Sequence, residues 1–157
     1  MKNIILVLSI IVSCGLFAGC SKKDQSCNPE IDAAPATEVQ ALEQYLSSNK
    51  IEATKDSHGF YYKIDAAGAA DRPDACAEVS VNYKGTLTNG TVFDQNENIR
   101  FQIKTLISGW QLGIPLIGKG GKITLYLPPS LAYGDKASNG IPANSILIFS
   151  IDLVNVY

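Results

Sequence analysis

The sequence predicts an α+β protein in which an antiparallel sheet carries a short helix across its concave face. Three observations lead there. Stretches such as "EVSVNYKG" at 78–85 and "ILIFSIDLVNV" at 146–156 alternate apolar and polar residues with the period of two expected of a half-buried strand. "TLTNGTVF" at 86–93 joins two strand-like runs through Asn89-Gly90, a hairpin signal. One internal stretch, "SGWQLGIPLIG" at 108–118, reads as a short helix. At 157 residues, 46% hydrophobic and 18% charged, the chain has room for one core, and no internal repeat is visible.

The first nineteen residues, "MKNIILVLSIIVSCGLFAG", combine one Lys, an apolar run and small residues ahead of Cys20. That is a secretory signal pattern, too short for a comfortable membrane span. "LFAGC" at 16–20 resembles the lipobox of bacterial lipoproteins, whose Cys is acylated and becomes the new N-terminus. The resemblance implies that Cys20 carries a membrane anchor, its acyl chains exceeding the two-signal threshold for stable attachment. The other reading is an ordinary cleaved signal with an incidental Cys. Ser21 stands where an Asp would suggest inner-membrane retention, so the expectation is an exported protein anchored in the bacterial outer membrane and facing the periplasm. Residues 20–36, "CSKKDQSCNPEIDAAPA", show no apolar period and read as a flexible tether to a domain at 37–157.

Charge narrows the partners. The chain carries −2, and without Lys2 of the signal 12 Lys+Arg face 15 Asp+Glu, or −3. No basic patch is offered to nucleic acid or to an anionic membrane surface. With Cys14 in the signal and Cys20 assigned to lipid, Cys27 and Cys76 remain, in a compartment expected to be oxidising. A disulfide is the natural pairing, and closing its loop of about 49 residues is worth about 4 kcal/mol on the chain-entropy model. Free thiols are the second reading. A two-thiol metal site is the third, disfavoured because no CxxC spacing supports it and the single His, His58, sits beside Gly59 in a turn. Neither a metal nor a cofactor is expected.

Within the domain, Thr37 with Gln40 forms a capping-box candidate. Val39, Leu42, Tyr45 and Leu46 share one face of an amphipathic helix that ends at Ser47-Ser48-Asn49. "GFYYKI" at 59–64 reads as a strand and "DAAGAADRPDACA" at 65–77 as a loop. In the strand at 78–85, Val79, Val81 and Tyr83 share a face. After the hairpin come "RFQIKTL" at 100–106, the helix at 108–118, "KITLYLP" at 122–128, a long loop at 129–145 and the strand at 146–156. Such alternation predicts one covered and one wetter face of the sheet.

Familiar catalytic apparatus is missing: there is no GxSxG, HExxH, phosphate-cradling loop or Cys/His pair, and "GKGG" at 118–121 reads as a turn entering a strand. What remains is a scatter of aromatic residues near loops: Tyr83, Phe93, Phe101, Trp110, Tyr133 and Phe149. Taken singly, each is more often core than site.

Their order changes that. "VNYKGTLTNGTVFD" (81–94), "LISGWQLGI" (106–114), "LPPSLAYGD" (127–135) and "GIPANSILIFSIDLV" (140–154) together resemble the signatures of FKBP-type peptidyl-prolyl cis-trans isomerases, over roughly residues 76–157. The resemblance implies an FKBP-like fold, a strongly bent antiparallel sheet wrapped around a short helix. It also implies one pocket lined by Tyr83, Phe93, Asp94, Phe101, Leu106, Ile107, Trp110, Tyr133, Ile141 and Phe149. The Trp110 indole would be its floor, Phe93 a wall and Asp94 a polar group at the rim. Proline-containing polypeptides are the implied substrates and macrolides of the rapamycin class the implied inhibitors. The chain departs from the family pattern at Leu106, where Val is commoner, at Pro115 inside the helix, at Ser130 and at Ala143.

The missing apparatus suits that reaction. Rotation about an X-Pro bond is slow because it sacrifices amide resonance, a barrier of about 20 kcal/mol. An apolar pocket strips water from the planar, charge-separated amide and favours the twisted state. The Ile107 N–H and the Tyr133 hydroxyl are the donors the family implies for orienting the peptide. Two functions share these residues: an active isomerase for exported proteins, and a proline-binding module or chaperone with weak or no turnover. The short loops leave no room for an inserted chaperone flap, residues 37–52 are a small basis for dimerisation, and a monomer is expected.

Overall fold

The computed structural model describes residue 27 and residues 29–157; the signal and Cys20 lie outside the described residues. The elements run α1 (Ala36–Ser48), β1 (Thr54–Lys55), β2 (Tyr61–Ala66), β3 (Glu78–Leu87), β4 (Val92–Gln102), α2 (Ser108–Gly113), β5 (Lys122–Leu127) and β6 (Leu147–Val156). Single 3-10 turns lie at Ile103–Thr105, Ile114–Leu116 and Pro129–Leu131. The strands form one six-stranded antiparallel sheet in the order β1-β2-β5-β6-β3-β4.

Alternation sorts the inward side chains. Val79 and Val81 of β3, Ile123, Leu125 and Leu127 of β5, and Leu147, Phe149, Ile151 and Leu153 of β6 meet Trp110, Ile114 and Ile117 in the main core. Phe60, fully buried just ahead of β2, joins them. The α2 backbone lies directly on β5. A Cβ on Gly109 would come within 2.4 Å of Leu127 Cδ2, and one on Gly113 within 2.6 Å of Leu125, so the two glycines set how closely helix and strand approach. The α-helical stretch is shorter than 108–118. It ends at Gly113, and Pro115, with no N–H to give, sits in the 3-10 turn that follows.

Where the sequence pattern predicts a wetter second face, that face is covered over β2, β5 and β6. Leu42 and Leu46 of α1 pack there with Tyr126, and Tyr45, Ile51, Tyr61, Ile146 and Ile148 close round them. Successive residues Leu125, Tyr126 and Leu127 thus serve opposite layers. The expected capping box is not formed: the N-cap is Pro35, Thr37 lies inside the helix, and no side chain caps it. Pro35 instead presets the entry φ at −55°, and its carbonyl accepts from the N–H groups of Glu38 and Val39. At the other end Ser47 and Ser48 are still helical, and Asn49 donates from Nδ2 to the Tyr45 carbonyl.

The segment before α1 is also held. Ile31 and Ala34 pack on the main core, and the Ala34 N–H donates to the His58 carbonyl at 2.8 Å. Residues up to 36 are therefore not all free tether. A disulfide joins Cys27 to Cys76, 49 residues apart with Cα atoms 5.2 Å from one another, tying this segment to the loop before β3. His58 is engaged elsewhere: its Nδ1 lies 2.7 Å from Asp56 Oδ1.

Candidate active site

On the α2 side of the sheet three rings meet one indole, and a fourth stands on one of the three. Trp110, the third residue of α2 and 4% exposed, meets Tyr83, Phe101 and Phe149 edge to face at centroid distances of 5.1, 6.0 and 5.2 Å. Phe93 stands edge to face on Phe149 at 5.5 Å. Each ring comes from a different element or strand position: Tyr83 from β3, Phe93 and Phe101 from β4, Phe149 from β6. Leu106 and Ile107, between the 3-10 turn and α2, are half-buried against the same core, and Ile141 from the loop before β6 is buried in it. The Trp110 Nε1–H is buried and finds no hydrogen-bond partner among the described residues.

β4 supplies neighbours that a regular strand could not. Successive residues of a strand point to opposite faces, yet Phe93 touches Phe149 while Asp94 touches Tyr83, and both partners touch Trp110. The ladder explains it. Gly85 pairs with Asp94 but Thr86 pairs with Val92, so Phe93 is the extra residue of a β-bulge. Gly85 makes the room, since a Cβ there would lie 2.5 Å from Phe93 Cζ and 2.9 Å from Phe149 Cε1. The hairpin beyond it turns through Leu87–Gly90, closed by the Gly90 N–H on the Leu87 carbonyl, with Gly90 in the left-handed region at φ 84°. Gly85 belongs to the site, and neither alternation nor propensity marks it.

A second irregularity lies further along β4. Val81 pairs with Ile99 but Tyr83 pairs with Asn96, so β4 holds one residue more than β3 across this interval. Asn98 absorbs it at φ 49°, and its N–H donates to Asn82 Oδ1 at 2.7 Å. The strand therefore runs from Val92 to Gln102, through residues 95–99 and on into the run at 100–106.

The polar groups of the site form a chain. Tyr83 donates its phenolic proton to Asp94 Oδ2 at 2.5 Å and accepts from Asn96 Nδ2 at 3.1 Å. Burial first, and then the bond to the Asp94 carboxylate, push the Tyr83 hydroxyl above the ordinary tyrosine range. Tyr133, on the loop after β5 and 43% exposed, is raised as well, by burial and by the Asp94 charge. Ile107 caps α2 with extended backbone at φ −59° and ψ 149°. Its carbonyl accepts from Trp110 and Gln111, while its own N–H precedes the helical ladder.

Of the residues read from the sequence, Tyr83, Phe101 and Phe149 thus meet Trp110, Phe93 meets Phe149 and Asp94 meets Tyr83, while Leu106, Ile107 and Ile141 belong to or pack on the core that holds them. A recess of about 590 Å³ is lined by Tyr83 and Asn96 together with Asn82, Lys84, Gln95, Glu97, Ser150 and Asp152. Neither Trp110 nor Phe149 lines it.

Among the described residues, the short helix and the rings around Trp110 thus form an aromatic cup with the linked polar groups of Tyr83, Asp94 and Asn96 at its edge. Residues 70–154 match the family model described as FKBP-type peptidyl-prolyl cis-trans isomerase, and the chain belongs to that family. It is similar to the FKBP-type isomerase FkpA of Buchnera aphidicola (subsp. Schizaphis graminum), 46% identical over 108 residues, 66% of this chain and 43% of that protein. With FkpA of Escherichia coli K12 it shares 39% over 140 residues, 86% of this chain and 52% of the other. The crystal structure of Escherichia coli FkpA superposes with a TM-score of 0.70 at 38% identity, covering 77% of this chain and 60% of that one. The chain spans about half the length of the curated relatives it matches.

Proposed function

We propose that this protein is a peptidyl-prolyl cis-trans isomerase acting on proline-containing segments of exported proteins. The observation that carries the reading is the Trp110 cup: four rings make an apolar seat, beside which Asp94 and Tyr133 supply the polar rim. A prolyl ring seated on the indole leaves water behind, and the amide loses the solvation that favours its planar form. The Ile107 N–H and the Tyr133 hydroxyl hold the peptide, and Leu106, Ile107 and Ile141 favour an apolar residue before the proline. No proton transfer is required. A protease-coupled isomerisation assay on a Phe-Pro peptide tests this. Catalysed relaxation is expected; peptide binding without turnover would make the site a binding module instead.

Macrolides of the rapamycin class fit the same cup, because their pipecolinyl ring has the shape of a proline. Binding is expected to shift the fluorescence of Trp110, the single tryptophan of the chain. An unchanged spectrum at high micromolar ligand counts against a formed site.

The lipobox-like "LFAGC" supports a lipid anchor on Cys20 and an outer-membrane, periplasm-facing location, with the domain acting as a monomer on its tether. Cys20→Ser is expected to lose partitioning into the detergent phase; equal partitioning of variant and wild type removes the anchor. Non-reduced peptide mapping is expected to recover Cys27 linked to Cys76, whereas two alkylatable thiols exclude the bridge.

A further inference from the structure

The Tyr83 hydroxyl has one proton to give, and two side chains reach it. The 2.5 Å contact to Asp94 Oδ2 is the length of a charge-assisted O–H···O⁻ bond, so that proton is committed to the carboxylate. What remains on the phenolic oxygen is acceptor capacity, and the Asn96 amide 3.1 Å away must face it with its NH₂ group. Reversed, the amide would set its carbonyl against an oxygen with no proton left.

We propose that Asn96 is a positioning residue of the isomerase site: by donating to Tyr83 it fixes that hydroxyl as the donor to Asp94 and holds the carboxylate at the edge of the aromatic cup. The proposal rests on the isomerase reading of that cup. The directed chain Asn96 to Tyr83 to Asp94 polarises each bond in the same sense and leaves Asp94 Oδ1 for the rim.

The fold goes out of its way to put an amide there. Extended from the Val81–Ile99 pair without a bulge, the ladder would set Glu97 opposite Tyr83 and Gln95 opposite Gly85. The extra residue held by left-handed Asn98 and by Asn82 Oδ1 moves β4 by one, bringing Asn96 and Asp94 to the pocket side. Without that extra residue Tyr83 would face Glu97, and Asp94 would fall opposite Thr86 on the other face. The titratable groups acting on Tyr83 are Asp94 on β4 and Tyr133 from the loop after β5, while Trp110 of α2 brings no ionisable group.

The test compares full-length wild type, Asn96→Ala and Asn96→Asp, by kcat/KM on the Phe-Pro peptide across pH and by NMR titration of the Tyr83 phenol. Near neutral pH Asn96→Asp is expected to lose about tenfold in kcat/KM, because two carboxylates then compete for one proton. Acid is expected to restore it, since protonating one carboxylate returns the missing donor. Asn96→Ala is expected to lose less, with no recovery in acid. The phenol should titrate highest in Asn96→Asp, next in Asn96→Ala and lowest in wild type. Equal phenol titration in all three overturns the proposal, whatever the turnover, as does an Asn96→Asp loss that acid leaves unchanged while melting stays at the wild-type temperature. Absence of turnover in wild type itself strikes the isomerase reading instead, and the phenol series then decides the Asn96 contact alone.

Discussion

The sheet carries a helix on each face, and the two are attached by different physics. On the concave face α2 comes in backbone first. Gly109 and Gly113 let it touch Leu127 and Leu125, and Trp110 projects from it against Tyr83, Phe101 and Phe149. On the other face α1 stands off on Leu42, Leu46 and a ring of half-buried tyrosines and isoleucines. The first contact is cramped, and the residue it carries inward, Trp110, is also the floor of the proposed site. The second is a seam of leucines, isoleucines and tyrosines that does not include Trp110 or the rings around it. Stability and activity should therefore be coupled on one face and separable on the other.

The hardest blow to the concave face is Phe149→Ala. This ring, 3% exposed, supports both Phe93 and Trp110, so about 3–5 kcal/mol of stability should go together with turnover. Urea melts and the isomerase assay below the melting range measure the two; retained activity would break the coupling. On the other face, Leu42→Ala empties a fully buried site and should cost about 2–3 kcal/mol while leaving kcat/KM within about twofold at low temperature. A large loss of turnover in the folded variant would show that α1 supports the site.

Asp94→Val sharpens the contrast from within the site. The carboxylate is exposed and fills no space, so stability should stay within about 0.5 kcal/mol while kcat/KM falls about tenfold. Wild-type turnover would reduce Asp94 to a surface residue. The smallest effect belongs to the rim of the α1 seam, where Glu43 accepts from Lys55 and from Tyr61. The bond to Lys55 first, and then that to Tyr61, lower its pKa from 4.5, so its contribution is present above that value and lost as pH falls through the lowered one. The melting temperatures of wild type and Glu43→Gln should differ at neutral pH and converge in acid. A difference that persists in acid would remove the carboxylate's charge as its cause.

The elements and the site differ in how far they could be read. β6 follows its alternation closely, β3 and β5 start where their sequence runs do, and α2 starts where "SGW" places it, because burial on one face writes a local period into the chain. β1 could not be seen. Two residues have no period, and Thr54 and Lys55 pair with Tyr62 and Tyr61 only because α1 and the turn at His58 bring them there. Thr37 and Gln40 have the spacing of a capping box, but Pro35 starts the helix earlier by presetting φ. Gly85 looked like a link in a motif, and its need to be glycine appears only once Phe93 and Phe149 lie above it.

By itself, the sequence determined the class of fold, the family through four ordered stretches, and the aromatic membership of the cup. All of these rest on residue type and short spacing. Tertiary structure decided which side chains share a face. That choice is a parity, and one extra residue in a strand reverses it. Whether β4 holds an extra residue at Phe93 and again near Asn98 depends on how β3 pairs with it, residue against residue across the hairpin. The chain therefore names Phe93, Asp94 and Asn96, and only the paired sheet turns Phe93 toward Phe149 and sets Asp94 and Asn96 together on the Tyr83 hydroxyl.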